Sequence, residues 1–408
     1  MLIKAGIYQF RIPDISHVLR IPLVYRLRNL PLYLAFYIVP AIAAFCRIFQ
    51  FSQPEYEFLW AAIFMLLLLT HNTVLSQRTT KIVHVVLLLV FLKYVLPLCW
   101  ERNVSYKALA IDFKWIYYLM WALLWTNFAG AIDLRALFRC GRNMAFAYCV
   151  FVVVETLLRG RYSRECAYLF DECNYVCYLL LIPYCLIDRM GGKPRDYIIF
   201  LLAVFLSDSR TGMATAAVIT IYPHYIRSRN KLKYWFFALV AGLIYVKVFF
   251  VDRGASRLGE VDRVMFLRQY LNCLRDFNIF EVLFGIFPGK SISITFPVDG
   301  FSWHIAVFEA IHGIKGCYPF YFHSTYLRLL FVWGVPLVVY GLRRVLLLFK
   351  EAKDMALRKY LVVFLMESVS LSTLSLTNVS IIFFLTGMAM LGEFNSRRKC
   401  IQGNQELH

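Results

Sequence analysis

Long apolar runs alternate with short polar connections along most of the chain. Their continuity is typical of membrane-crossing α-helices, because a transmembrane barrel would show alternating positions in segments of about ten residues. The pattern predicts an all-α, polytopic integral membrane protein with about 12 transmembrane helices, a single transmembrane domain over residues 1–408. The apolar runs cover residues 30–47, 58–76, 82–100, 115–132, 143–158, 173–188, 196–208, 211–226, 233–251, 325–349, 359–376 and 379–393.

One extended segment, residues 252–324, lacks this apolar character. It follows the ninth run and holds seven Lys/Arg and seven Asp/Glu, so it is net neutral. From Val264 to Leu274 apolar residues recur at helical spacing, which predicts an amphipathic helix on the membrane surface or over a cavity. The apolar turn at residues 280–289 predicts that the loop then returns to the membrane.

Positive charges lie mainly in the short connections. The chain has 44 Lys/Arg against 25 Asp/Glu, a net charge of +19. The positive-inside rule explains this excess without a nucleic-acid partner, and none is predicted. With the N-terminus inside, every inner connection is basic, while the outer connection at 159–172 departs from the trend. This register predicts cytoplasmic N- and C-termini and an outer, periplasmic location for the 252–324 loop.

Two polar sites flank this loop. Ser209 and Arg210 lie in a short turn between two apolar runs, and His323 opens the tenth run. A planar guanidinium suits phosphate oxygens, and Gly212 allows close approach of the backbone. A histidine at the mouth of a span can accept a proton at neutral pH. The alternatives are an arginine that only extends its head group into water and a structural histidine, the more common role for His304 and His312 as well.

The order of four motifs along the chain is more specific than any one of them. Ser-Arg-Thr-Gly at 209–212 precedes the loop, which contains Arg-x-x-x-Leu at 263–267 and Phe-Gly-x-x-x-Gly at 284–289. His-Ser-x-Tyr-Leu at 323–327 ends it. Over about residues 200–345 the chain resembles the O-antigen polymerase and O-antigen ligase superfamily of bacterial envelope polysaccharide enzymes. It differs from the family pattern at Ser324, where asparagine is common, and at Ile286, where glycine is common.

This resemblance implies a multi-pass, metal-independent glycosyltransferase of the bacterial inner membrane that needs no cofactor. Its donor would be a glycan linked to undecaprenyl diphosphate, handled at the periplasmic face. Arg210 and Arg263 would hold the diphosphate leaving group, and His323 would orient or deprotonate the acceptor hydroxyl. The further candidate substrate-binding residues are Ser209, Arg257 and Arg268.

Three functions stay open at this stage. A polymerase would join lipid-linked repeat units of O-antigen, exopolysaccharide or capsule, and the Ser-Arg-Thr-Gly form favours it. A ligase would transfer the finished glycan to lipid A-core. A polysaccharide flippase or other transporter would need ionisable residues within spans, for which Glu155, Lys247 and Glu367 are the candidates. Besides the lipid-linked glycan and membrane lipid, the candidate partners are a chain-length regulator and a flippase.

The eleven cysteines form no metal-binding pattern. Cys173 and Cys177 are four residues apart on one helical face and are interpreted as packing residues. Cys273 and Cys317 both lie in the outer loop, where an oxidising compartment would permit a disulfide between them.

Overall fold

The structure is a computed structural model that describes residues 27–70, 74–170, 172–234, 236, 262–371, 373–374 and 376–405. This part of the chain is all-helical, with no β-strand, in agreement with the predicted fold class. Numbered in chain order, the helices are α1 (Leu30–Ile48), α2 (Glu57–Thr70), α3 (Gln77–Cys99), α4 (Tyr106–Ala129), α5 (Leu134–Arg159), α6 (Cys173–Tyr184), α7 (Pro194–Leu206), α8 (Arg210–Arg227), α9 (Asp262–Cys273), α10 (Ile279–Phe284), α11 (Phe301–His312), α12 (Thr325–Glu351), α13 (Met355–Ser370) and α14 (Thr377–Gln405).

Among the described helices, six are long and apolar enough to cross a membrane: α1, α3, α4, α5, α12 and α14. α2 and α6 are apolar but shorter. Every predicted apolar run coincides with a helix except the one at 233–251, most of which lies outside the described residues. The protein therefore has helices of membrane-spanning character, while the count of twelve spans stays a prediction.

Polar residues in the connections between apolar runs cap the N-termini of several helices. The side chains of Ser105, Asp133 and Asp354 each accept a hydrogen bond from a backbone N–H in the first turn of the following helix. A helix leaves its first N–H groups without internal partners, so these caps stabilise its start. This is why the short polar connections in the sequence mark the helix boundaries.

Connections on the predicted outer side contact one another. Arg47 Nε, at the end of α1, lies 3.1 Å from Glu155 Oε1 near the end of α5. Ser105 N, just before α4, donates a hydrogen bond to Gly289 O in the loop before α12 at 2.9 Å. Thr325 N, at the start of α12, donates to Leu371 O after α13 at 2.9 Å.

Connections on the predicted inner side likewise contact one another. Arg189 Nη1, between α6 and α7, lies 3.3 Å from Asp354 Oδ2, between α12 and α13. Ser76 N, before α3, donates a hydrogen bond to Asn127 Oδ1 near the end of α4 at 3.1 Å. The contacts thus separate these connections into two groups, each made of connections that the charge pattern places on the same side.

α6 is the most deeply buried helix of the main core. It packs against α5, α8, α13 and α14. Cys173 and Cys177 are fully buried within it, which confirms them as packing residues. A second buried cluster surrounds α9, α11 and the start of α12, and it contains Cys273 and Cys317 as free thiols.

Candidate functional site

The start of α8 is fixed by its own side chains and by α6. Ser209 is fully buried, and its Oγ accepts a hydrogen bond from Gly212 N at 3.1 Å, which caps the helix. A Cβ at position 212 would lie 2.1 Å from Cys177 Sγ, so only glycine permits this approach of α8 to α6. The space that Gly212 leaves is thus filled by the side chain of Cys177, and close approach of a ligand to this backbone stays a prediction. Arg210 is the first residue of α8 and is half-buried.

His323 lies in a pocket of aromatic rings. Its ring centroid is 5.1 Å from that of Phe308, 5.6 Å from His304 and 6.0 Å from Phe266. His304 Nε2 is also 3.2 Å from Tyr321 O, a contact that gives this second histidine a structural role. α9 and α11, two of the three described helices of the loop, therefore form the walls around His323.

Burial in this pocket lowers the pKa of His323 from its ordinary value of 6.5 to about 3. The charges of His304 and Arg263, and then of Arg328 and His312, act in the same direction. Desolvation and neighbouring cations both disfavour the imidazolium ion. His323 is therefore a neutral imidazole near pH 7, suited to accepting a hydrogen bond from a hydroxyl group.

The backbone that carries His323 is tied to the end of α13. Ser324 Oγ donates a hydrogen bond to Ser368 O at 3.2 Å. Thr325 Oγ1 is 2.9 Å from Leu371 O and 2.8 Å from Thr373 Oγ1. These buried contacts hold the start of α12 beside the last turn of α13. The side chain of Ser324 is buried in this contact.

Glu367 lies on α13 directly before Ser368, whose carbonyl accepts the hydrogen bond from Ser324. Its side chain is fully buried on α13, and its Oε1 accepts a hydrogen bond from Thr215 Oγ1 of α8 at 2.7 Å. Thr215 lies five residues after Arg210, about 7.5 Å along α8 and about 140° around it, so this contact fixes the helix and not the Arg210 side chain. Arg263 is among the charges that act on both Glu367 and His323. α8, α9, α12 and α13 thus meet at one polar cluster in an apolar core.

The other predicted arginines lie elsewhere. Arg268 is exposed on α9. It is five residues from Arg263 and so about 140° around the helix. Arg257 lies outside the described residues. Substrate binding by these two arginines, and by Ser209 beyond its role as a helix cap, stays a prediction.

Sequence reasoning missed one buried ion pair beside this cluster. Arg328 Nη2, on the second turn of α12, lies 3.1 Å from Asp112 Oδ1 of α4. Tyr94 OH donates to the other oxygen of Asp112 at 3.3 Å. The available signal was a charge inside an apolar run, Arg328 in the run at 325–349.

The apolar turn at 280–289 makes a close contact with α12, and its return to the membrane stays a prediction. Gly334 interrupts α12 with φ 74° and ψ 171°. Gly285, just after α10, has φ 73° and ψ 171°. A Cβ at Gly334 would lie 2.3 Å from Leu283 O, and one at Gly285 would lie 2.3 Å from Val332 O. Both positions need glycine, for the positive φ and for the distance between the two backbones.

A groove opens beside this contact between α3, α10 and α12. Its volume is about 870 Å³. Phe284, Leu337 and Tyr340 line it and are largely exposed, and Lys93 Nζ donates to Phe284 O at 2.9 Å. The break at Gly334 is about 14 Å along α12 from its first residue. The apolar groove thus lies beside the part of α12 that follows Gly334, whereas the polar cluster lies at the start of the same helix.

The chain matches no protein-family model, no curated protein and no solved structure.

Proposed function

We propose that this protein is a polysaccharide polymerase of the bacterial inner membrane, a metal-independent glycosyltransferase that joins repeat units carried on undecaprenyl diphosphate. The observation that carries the proposal is that the charge of Arg263 acts on both His323 and the buried Glu367, which α8, the helix that begins at Arg210, contacts through Thr215. Arg210, Arg263 and His323 come from three motifs separated by long stretches of chain. The helices next to these residues pack in series, α8 with α13, α13 with α12 and α12 with α9, which is compatible with a shared site.

In the proposed reaction the oxygen of an acceptor hydroxyl forms a bond to the anomeric carbon of the donor glycan. The bond from that carbon to the diphosphate breaks, and its electron pair leaves with the undecaprenyl diphosphate. Arg210 and Arg263 neutralise the charge that develops on the leaving group. The neutral ring of His323 accepts a hydrogen bond from the hydroxyl and orients it for attack.

Two further features support a lipid-linked donor at an outer face. The apolar groove between α3, α10 and α12 suits a polyprenyl chain, whose diphosphate end would then reach toward the start of α12. The two groups of contacting connections fit a chain that crosses the membrane repeatedly, with both termini in the cytoplasm and the 252–324 loop in the periplasm.

The test is the lipid-linked oligosaccharide that accumulates in a cell carrying His323→Ala. Polymer should be lost while the protein stays in the membrane, and single repeat units on undecaprenyl diphosphate should accumulate, accessible to an impermeant glycan probe on the periplasmic side. His84→Ala, at an exposed histidine on α3, is the matched control and should leave polymer unchanged.

Other outcomes would replace the proposal. Long lipid-linked chains that never reach lipid A-core would identify a ligase. Repeat units trapped on the cytoplasmic leaflet would identify a flippase or transporter. Unchanged polymer would remove His323 from the site.

A further inference from the structure

Glu367 is a buried acid that the reaction described above does not use. It is fully buried, and among the described residues its Oε2 has no hydrogen-bond partner. The other buried carboxylate oxygen in this state, Asp196 Oδ1, lies 3.7 Å from Arg142 Nη1. Glu367 takes part in no ion pair within the described part of the chain. A buried polar oxygen without a partner costs free energy, and such a group is retained where it serves a function.

The position of Glu367 is defined from three directions. Thr215 holds its Oε1 from α8, below Arg210. Its neighbour Ser368 accepts a hydrogen bond from Ser324, the neighbour of His323. The charge of Arg263 acts on it from α9. Glu367 therefore lies in the last turn of α13, where the next residue bonds the residue after His323 and where the charge of Arg263 acts on it.

The reaction releases a proton that His323 cannot keep. When the acceptor oxygen bonds to the sugar, its hydrogen must move to another group. Burial and the neighbouring cations hold the pKa of His323 well below its ordinary value, so its ring is a poor final holder of the proton at pH 7. A second acceptor near His323 is therefore required for the proton to leave the site.

We propose that Glu367 is the final proton acceptor of glycosyl transfer, receiving the proton of the acceptor hydroxyl by way of His323. This inference rests on the proposed function. The hydroxyl O–H bond breaks, the proton passes to the ring nitrogen of His323 and then to Glu367 Oε2, and the carboxylate becomes a neutral carboxylic acid. The electron pair of the broken glycosidic bond stays on the diphosphate. Glu367 loses its proton to water when the product leaves.

The experiment measures polymerisation by the purified full-length protein in liposomes, with lipid-linked repeat units extracted from the His323→Ala strain as substrate. Glu367→Gln keeps the shape and the hydrogen bond from Thr215 but cannot take up a proton. The expected result is a fall in kcat of about 10²-fold or more at unchanged KM. The wild-type rate should rise with pH as Glu367 ionises, and Glu367→Gln should lose this rise. Glu367→Asp keeps a carboxylate and should recover part of both.

Thr215→Val separates this role from a structural one. It removes the hydrogen bond to Glu367 but leaves the acid, so the rise of rate with pH should persist and move along the pH axis. If Glu367→Gln and Thr215→Val lower only the melting temperature, with the wild-type pH profile preserved, Glu367 is structural and the inference is wrong. If Glu367→Gln does not fold, Thr215→Val decides the question. A pH–rate profile shifted from that of the wild type supports the inference, and an unshifted profile contradicts it. No polymer from the wild-type protein would instead reject the proposed function itself.

Discussion

Ile286 donates its backbone N–H to Phe331 O at 2.7 Å, so the chain just after α10 pairs directly with the interrupted part of α12. A regular helix would use Phe331 O for its own N–H four residues later. Gly334 breaks that pattern, and the freed carbonyl is satisfied by the loop. The loop is therefore attached to α12 by backbone geometry, through Gly285 and Gly334.

The first prediction is that Gly334→Ala destabilises the protein. A side chain at φ 74° is strained by about 1–3 kcal/mol. Its Cβ would also lie 2.3 Å from Leu283 O, where backbone must move. We expect a lower melting temperature in detergent. Gly341→Ala is the control, since a Cβ there has no atom within 4 Å and alanine favours the helix. Equal melting temperatures for the two variants would contradict this account.

The sequence predicted most of the helices because each apolar run must be buried in lipid or protein and can satisfy its backbone only as a helix. It also marked the apolar turn at 280–289, although not the contact of this turn with α12. The docking on Gly334 depends on two backbones meeting at positive φ. The two glycines are about fifty residues apart in the chain, and the sequence around each of them does not indicate that their backbones meet.

The candidate site was predictable only in part. Arg210, Arg263 and His323 were selected from motif order, and their catalytic roles stay predictions; in the structure the charge of Arg263 acts on His323 and on the buried Glu367. In the sequence, Glu367 is only an ionisable residue within a predicted span. Its hydrogen-bond partner Thr215 is 152 positions away, so no local pattern links the two residues. The pair between Asp112 and Arg328 spans 216 positions and was missed for the same reason.

A second prediction concerns topology. If the 252–324 loop is periplasmic and the C-terminus is cytoplasmic, a reporter fused within the loop is active only in its exported form. A reporter fused after Arg397 is then active only in its cytoplasmic form. The physical reason is the excess of Lys/Arg in the connections predicted to be inner. Activity of both fusions in one compartment would overturn the even number of spans.

A third prediction concerns Arg210. Its proposed contact with the diphosphate uses two parallel N–H groups, which the point charge of lysine cannot reproduce. Arg210→Lys should therefore lose most polymer in cells, by about tenfold or more, at normal protein level. Arg227→Lys, at the exposed other end of α8, is the matched control and should behave as wild type. Near-normal polymer from Arg210→Lys would make this residue an interfacial anchor only.

The last prediction follows from the low pKa of His323. The unfolded chain takes up a proton on this side chain as the pH falls through its ordinary value of 6.5, whereas the folded protein does so only near pH 3. Because the unfolded state then binds more protons, stability falls as the pH drops from 6.5 toward 3. At pH 5 this loss is about 2 kcal/mol relative to pH 7.5. His323→Gln removes the ionisable group, so its melting temperature should fall less than that of the wild type between pH 7.5 and pH 5, whatever its starting value. His84→Gln, at an exposed histidine, should keep the acid sensitivity of the wild type. An equal fall in His323→Gln and wild type would mean that His323 is not buried in its neutral form.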